Sequence, residues 1–288
     1  MNQDELQNTV LCGDALEMLK RLPDECVQMC VTSPPYYGLR DYGAEGQIGC
    51  EQTPFEYIDR LTEIFREVRR VLKSNGTLWL NIADSYAGSG KGVWGKSLAE
   101  RPKSKQTYHS LNTDENAALP KKWDGIKEKD MIGIPWQLAF ALRADGWYLR
   151  SDIIWQKPNC LPEAVKDRPT KSYEHIFLLS KSPHYYYDAA AISEPVAPVT
   201  VERNKRAVSD RTKYAKGVGG AKPQALFLPR SHSDMPTKRN KRDVWSVSTN
   251  SHRGYGHFAM YPERLIEPCI LAGSPEPVSY THFRAHET

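Results

Sequence analysis

Apolar and polar positions in the first part of the chain read as strands and helices in turn. Val10-Leu11-Cys12 is a short apolar run ending at Gly13-Asp14, and it predicts a first strand. Ala15 to Leu22 puts Leu16, Leu19 and Leu22 at helical spacing before Pro23 closes the segment. Val27 to Thr32 predicts a second, buried strand, ended by Pro34-Pro35 because proline cannot donate to a ladder. Thr53 then predicts an N-cap, Pro54 suits the first helical position, and Glu56 completes a capping box. Phe55, Ile58, Leu61, Phe65, Val68 and Leu72 form the stripe that this helix should bury. Asn75-Gly76 should end it, with a third strand over Thr77 to Ile82. Strand, helix and strand joined by short turns predict a parallel α/β sheet with helices on both faces.

From Ala83 to Lys129 the pattern breaks into Gly, Ser, Lys and Asn. A stretch this long without periodicity predicts a mobile loop, centred on residues 84–130. Order returns with a helix over Pro135 to Ala144 and strands at Tyr148 to Gln156, His175 to Ser180 and, briefly, His184 to Tyr187. A short helix is expected over Pro262 to Ala272.

Composition changes the picture little. The 288 residues suit one large domain, or a domain with a sizeable insertion, and 40% apolar with 26% charged is ordinary for a soluble globular protein. No apolar run reaches the roughly 18 residues of a membrane span, and the polar, acidic start predicts no signal peptide. Cys12, Cys26, Cys30, Cys50, Cys160 and Cys269 form no Cys-x-x-Cys pair. They read as reduced thiols of a cytoplasmic protein, with neither a metal site nor a disulfide framework.

Charge distribution says more than the net charge of +4. Residues 195–245 carry Arg203, Lys205, Arg206, Arg211, Lys213, Lys216, Lys222, Arg230, Lys238, Arg239, Lys241 and Arg242 against Glu202, Asp210, Asp234 and Asp243. Such a segment suggests a polyanion partner. A solvated linker would have the same composition, and charge alone does not separate the two.

The candidate chemistry lies at Thr32-Ser33-Pro34-Pro35-Tyr36, where a parallel strand should end and where ligands of open α/β sheets bind. Two prolines fix the backbone. An exocyclic amine on cytosine or adenine is a poor nucleophile because its lone pair is delocalised into the ring. Acceptors aimed at its N–H groups draw the nitrogen toward tetrahedral geometry, and the Ser33 oxygen and Pro34 carbonyl are placed to act so. Tyr36 offers a face on which an extruded base could stack. A stiff turn would use the same residues. Gly88-Ser89-Gly90-Lys91-Gly92 lacks P-loop spacing and opens no apolar helix. Cys160 lacks the Pro-Cys-Gln element of the C5-cytosine methyltransferases and reads as structural, and His175 and His184 read as packing or rim residues.

The run VTSPPYYGLRDYG (Val31 to Gly43) resembles motif IV of the DNA amino-methyltransferases that modify cytosine N4 or adenine N6. The resemblance extends along nearly the whole chain, in the permuted order that places motif IV first. Cys12-Gly13-Asp14-Ala15-Leu16 is similar to the family's early element, and His257-Phe258-Ala259-Met260-Tyr261-Pro262 to its motif X. This resemblance implies a Rossmann-like fold, S-adenosyl-L-methionine as cofactor and double-stranded DNA as partner, and it admits a cognate restriction endonuclease. It implies Ser33, Pro34, Pro35 and Tyr36 as the catalytic turn. Asp14, Thr32, His257, Phe258, Tyr261 and Pro262 would hold the cofactor, with Asp14 accepting from its adenine amine; a helix N-cap is the other reading of Asp14. Tyr37, Arg40, Arg203, Lys205, Arg206, Arg239, Lys241 and Arg242 would meet DNA. Ser33, where adenine enzymes commonly carry Asp or Asn, leans toward cytosine N4, with adenine N6 as the alternative.

The same resemblance suggests four regions. Residues 1–194 would be the catalytic core, 195–245 the target-recognition segment, 246–276 the motif X region, and 277–288 a foreign tail. Val278 to Thr288 looks like one reading frame of a sequencing adapter, and the expected Asp-Pro-Phe-x-Gly-x-Gly loop does not follow Glu276. The expectation is therefore a truncated sheet that binds the cofactor poorly, or a catalytically dead DNA-binding remnant.

Overall fold

The computed structural model describes residues 7–39, 46–88, 123–209, 237–249 and 260–275. Elements follow in chain order as α1 (Ala15–Lys20), β1 (Val27–Thr32), α2 (Pro54–Val71), β2 (Leu72–Ile82), α3 (Ile134–Ala144), β3 (Tyr148–Gln156), β4 (Tyr173–Ser180), β5 (Glu194–Pro195), α4 (Pro198–Ser209), β6 (Lys238–Arg239), β7 (Val244–Ser246) and α5 (Glu263–Gly273).

α2 starts where its sequence says it should. Thr53 Oγ1 accepts from Glu56 N at 3.1 Å, and Glu56 Oε2 accepts from Thr53 N at 3.3 Å, closing the capping box in front of Pro54. Its buried face is Tyr57, Ile58, Leu61, Ile64, Phe65, Val68 and Val71. This shifts the expected stripe: Phe55 is 42% exposed, and Leu72 belongs to β2. The strand begins at Leu72, earlier than Thr77, because Leu72 pairs with Val27 across an irregular step in the ladder.

Two compact units divide the chain, residues 1–187 with 243–288, and residues 188–242. In the first, five strands form one sheet in the order β1-β2-β4-β3-β7. β1 and β2 are parallel, as are β3 and β7, but β4 runs antiparallel to both its neighbours. The parallel pairing expected of the first strand–helix–strand unit holds for β1 and β2, while the sheet as a whole is mixed. The reason is the connection: among the described residues no helix lies between β3 and β4, and without a crossover the chain returns reversed. Among the described residues β1 is an edge strand. Interior strand β2 is buried on both faces from Thr77 to Ile82, which fits apolar side chains at the successive positions Leu78, Trp79 and Leu80.

Successive side chains of β2 face opposite ways. Leu78, Leu80 and Ile82 join α1, α2 and α3 in the main core, with Phe177 and Leu179 of β4. Trp79 faces the other layer, near Tyr187 and Trp245, where Gly273 of α5 comes so close that a Cβ there would sit 3.0 Å from Trp79 Nε1. Helices therefore cover both faces. Two expected strands are absent. Val10-Leu11-Cys12 is irregular with Val10 65% exposed, and His184 to Tyr187 is held as coil by Tyr186 N donating to Asn75 O.

The second unit contains α4, which Pro/Gly punctuation had hidden, and the antiparallel pair β5/β6. Trp245, at the end of the expected basic segment, lies instead in the main sheet on β7. The loop expected to be mobile lies largely outside the described residues, as does the whole tail 277–288.

Candidate active site

β1, β2 and β3 end, and β4 begins, at one edge of the sheet, so four residues distant in sequence meet there: Ser33 after β1, Asn81 near the end of β2, Lys157 after β3 and Glu174 in β4. Tyr36 connects them. Ser33 Oγ donates to Tyr36 Oη at 3.3 Å, and Tyr36 Oη donates to Glu174 Oε2 at 2.7 Å. Asn81 Nδ2 donates to Glu174 Oε2 and to the His175 carbonyl, both at 3.1 Å, which leaves its Oδ1 3.2 Å from Tyr36 Oη. Lys157 Nζ makes an ion pair with Glu174 Oε1 and lies 4.3 Å over the Trp155 ring. Burial, and then the Glu174 charge, holds the Tyr36 phenol well above the ordinary tyrosine value.

The backbone of the turn is fixed from α2. Tyr57, fully buried, donates its hydroxyl to the Pro35 carbonyl at 2.7 Å. Gly49 closes the other side at φ +92°, where a Cβ would lie 3.0 Å from the Tyr36 carbonyl. Tyr37 is corrected. Expected at the DNA surface, it is 2% exposed, packed on Tyr57 and Trp123, with its hydroxyl on the Gln52 carbonyl. The turn after β1 carries Tyr37 against Tyr57 of α2, while the hydroxyl of Tyr36 reaches Glu174.

The remaining expected residues are scattered. Asp14 caps α1, its Oδ1 accepting from Glu17 N at 3.1 Å. Thr32 ends β1, and Tyr261 and Pro262 lead into α5, Pro262 as its N-cap. Arg203 is exposed on α4, which also carries Lys205 and Arg206. Arg239, Lys241 and Arg242 gather on Glu194, at 3.5, 3.6 and 3.3 Å, so three of the expected DNA contacts share one carboxylate. Arg40, His257 and Phe258 lie outside the described residues.

Sequence reasoning gave no site role to Asn81, Lys157 or Glu174, nor to Asp84. The Asp84 carboxylate accepts from Ser85 N, Gly133 N and Ile134 N, so a residue beyond β2 holds the start of α3. Burial pushes that carboxyl up despite these bonds. Lys171 donates to the Asp84 carbonyl at 3.0 Å, and burial lowers its own pKa. One signal was available: Glu174 is a charge next to the apolar run Ile176 to Leu179 of a strand that is buried from Glu174 to Ser180. His175 is a packing residue as expected, its Nδ1 2.8 Å from Asp152 and its ring stacked on Phe177. Among the described residues there is no group of three His, Cys, Asp or Glu able to hold a metal, and no helix long and apolar enough to cross a membrane.

The fold is that of the Rossmann-like methyltransferases. The PvuII DNA methyltransferase (cytosine-N4-specific) superposes with a TM-score of 0.53 at 15% identity, covering 93% of this chain and 71% of that one. The DNA methylase family matches residues 27–277. The type II methyltransferase M.SmaI of Serratia marcescens is 43% identical over 265 residues, which is 92% of this chain and 75% of that protein. M.Cfr9I of Citrobacter freundii is 44% identical over 272 residues, 94% of this chain and 74% of its own length. The chain belongs to the DNA methylase family, among the type II methyltransferases, whose cofactor is S-adenosyl-L-methionine.

Proposed function

We propose that this protein methylates the N4 amine of a cytosine extruded from double-stranded DNA. The observation that carries the reading is Ser33 at the carboxyl end of β1, beside a tyrosine ring held by Glu174. Ser33 Oγ and the Pro34 carbonyl accept from the target amine, and the Tyr36 ring supports the base. Fixing that geometry supplies much of the acceleration, since no covalent enzyme intermediate is needed. S-adenosyl-L-methionine supplies an electrophilic methyl when bound. The residues present fit part of it: Asp14 carries a carboxylate with one oxygen on Glu17 N, and the other has the acceptor chemistry an adenine amine requires. Thr32, Tyr261 and Pro262, with His257 and Phe258, complete the proposed cofactor set.

The unit of residues 188–242 would approach the duplex, with Arg203, Lys205, Arg206, Arg239, Lys241 and Arg242 making salt-dependent phosphate contacts. Arg40, which follows the turn in sequence, would join them. A cognate restriction endonuclease is the partner this reading expects. Mass spectrometry of nucleosides from duplex DNA incubated with the chain and S-adenosyl-L-methionine tests the target. N4-methylcytosine is expected. N6-methyladenine would replace the cytosine reading with the adenine one, and no modified nucleoside from a chain shown by calorimetry to bind S-adenosyl-L-methionine would remove both.

A further inference from the structure

We propose that Glu174 is a positioning residue that sets the direction of the Ser33 hydroxyl through Tyr36, so that Ser33 presents its lone pairs to the target amine. The inference rests on the reading of Ser33 as the acceptor for that amine. A serine is ambiguous in this role. Its oxygen can accept, but its hydrogen can rotate outward and oppose the amine's own N–H groups.

The hydrogen-bond inventory removes the ambiguity. An ionised carboxylate only accepts. Glu174 Oε1 is held by Lys157 Nζ, and Oε2 receives Asn81 Nδ2 and Tyr36 Oη, so all three groups around it are donors. Asn81 spends both amide hydrogens, on Glu174 and on the His175 carbonyl, and therefore turns its oxygen toward Tyr36 at 3.2 Å. Both neighbours of the phenol on that side are acceptors, and its single hydrogen goes to the nearer and charged one, Glu174 Oε2. With its hydrogen committed, Tyr36 Oη can only accept from Ser33. Ser33 then points its hydrogen inward, and both lone pairs face outward. The charge at the end of the chain also strengthens each bond along it. Burial, and then that charge, keeps the Tyr36 phenol protonated, as the chain requires.

Glu174→Gln puts an amide nitrogen where the site offers only donors, facing either Lys157 or Tyr36. We expect kcat to fall about 10- to 100-fold, with KM for DNA and Kd for S-adenosyl-L-methionine within about threefold of the wild type. Tyr36→Phe keeps the ring and removes the link, and its kcat should fall comparably. The double variant decides the matter. Residues acting through one chain are non-additive, so Glu174→Gln should cost less than about twofold once Tyr36 is Phe. Losses that multiply would overturn the proposal. Should Glu174→Gln fail to fold, Tyr36→Phe alone still tests it, since wild-type kcat in that variant overturns it. A readout independent of turnover is the Tyr36 hydroxyl proton in the full chain. A slowly exchanging, downfield resonance is expected, lost in Tyr36→Phe and shifted upfield in Glu174→Gln; its absence from the wild type overturns the proposal. A wild-type chain that shows the resonance but methylates no DNA would instead count against the proposed function.

Discussion

Replacing Tyr57 by Phe isolates one bond under the Pro34-Pro35 turn. The ring is completely buried and packs 5.5 Å from Tyr37, so losing a single oxygen leaves the apolar contacts in place. What goes is the 2.7 Å hydrogen bond to the Pro35 carbonyl. That carbonyl follows two residues without N–H groups and stands on the inner side of the turn, where water does not readily replace the phenol. An acceptor stripped of its buried donor costs about 1–3 kcal/mol. For a chain of this size that corresponds to a fall in melting temperature of ~2 °C per kcal/mol. Urea denaturation followed by far-ultraviolet circular dichroism measures the loss, with the m-value expected to be unchanged. The turn also loses its anchor to α2, so methyl transfer should slow while cofactor binding stays the same. A loss of less than about 0.5 kcal/mol with wild-type turnover, within the range of an ordinary surface substitution, would refute the reasoning.

Three further expectations follow from the same structure. Gly49→Ala forces a Cβ to 3.0 Å from the Tyr36 carbonyl at φ +92°, and should cost about 1–2 kcal/mol in a thermal scan and reduce turnover with it; an unchanged melting temperature would show that the turn can move aside. Glu194→Gln releases negative charge from beneath Arg239, Lys241 and Arg242, and should steepen the salt dependence of duplex binding by about 0.9 in log–log slope per phosphate gained. Fluorescence anisotropy with a labelled duplex reads this, and an unchanged slope would mean that those cations do not reach phosphate. Because its pKa is raised, the Tyr36 phenol contributes stability in full below the ordinary value of about 10, and that contribution is lost only as pH rises through its higher folded value. Absorbance titration should therefore show the same phenolate step near pH ~10 in wild type and Tyr36→Phe; a larger step in the wild type would place Tyr36 in contact with solvent.

Where the signal is local, the chain is legible. β1 is bounded by its own prolines, and α2 begins at a capping box that Thr53, Pro54 and Glu56 spell out within four positions. Strand direction is not local. The apolar run of β4 reads the same forward or reversed, and only the lack of a crossover helix decides it. The candidate turn could be picked out from five consecutive residues, but the distant groups that bond to its tyrosine could not. Glu174 lies 138 residues from Tyr36, and Asn81 lies 45 from it. Tyr37 shows the converse failure: an aromatic beside the candidate tyrosine reads as functional, but its packing on Tyr57 and Trp123 places it in the core.

The reversed strand has a consequence for how such an enzyme can diversify. Because β4 enters the sheet beside the point where β3 leaves it, the excursion between them starts and finishes at the same rim, clasped by Lys157 N on the Ser172 carbonyl at 2.7 Å. Its length is uncoupled from the sheet, and doubling it costs only about 0.6 kcal/mol in closure entropy. New segments can be grafted there without re-registering any strand, which makes this rim a permissive address for added chain.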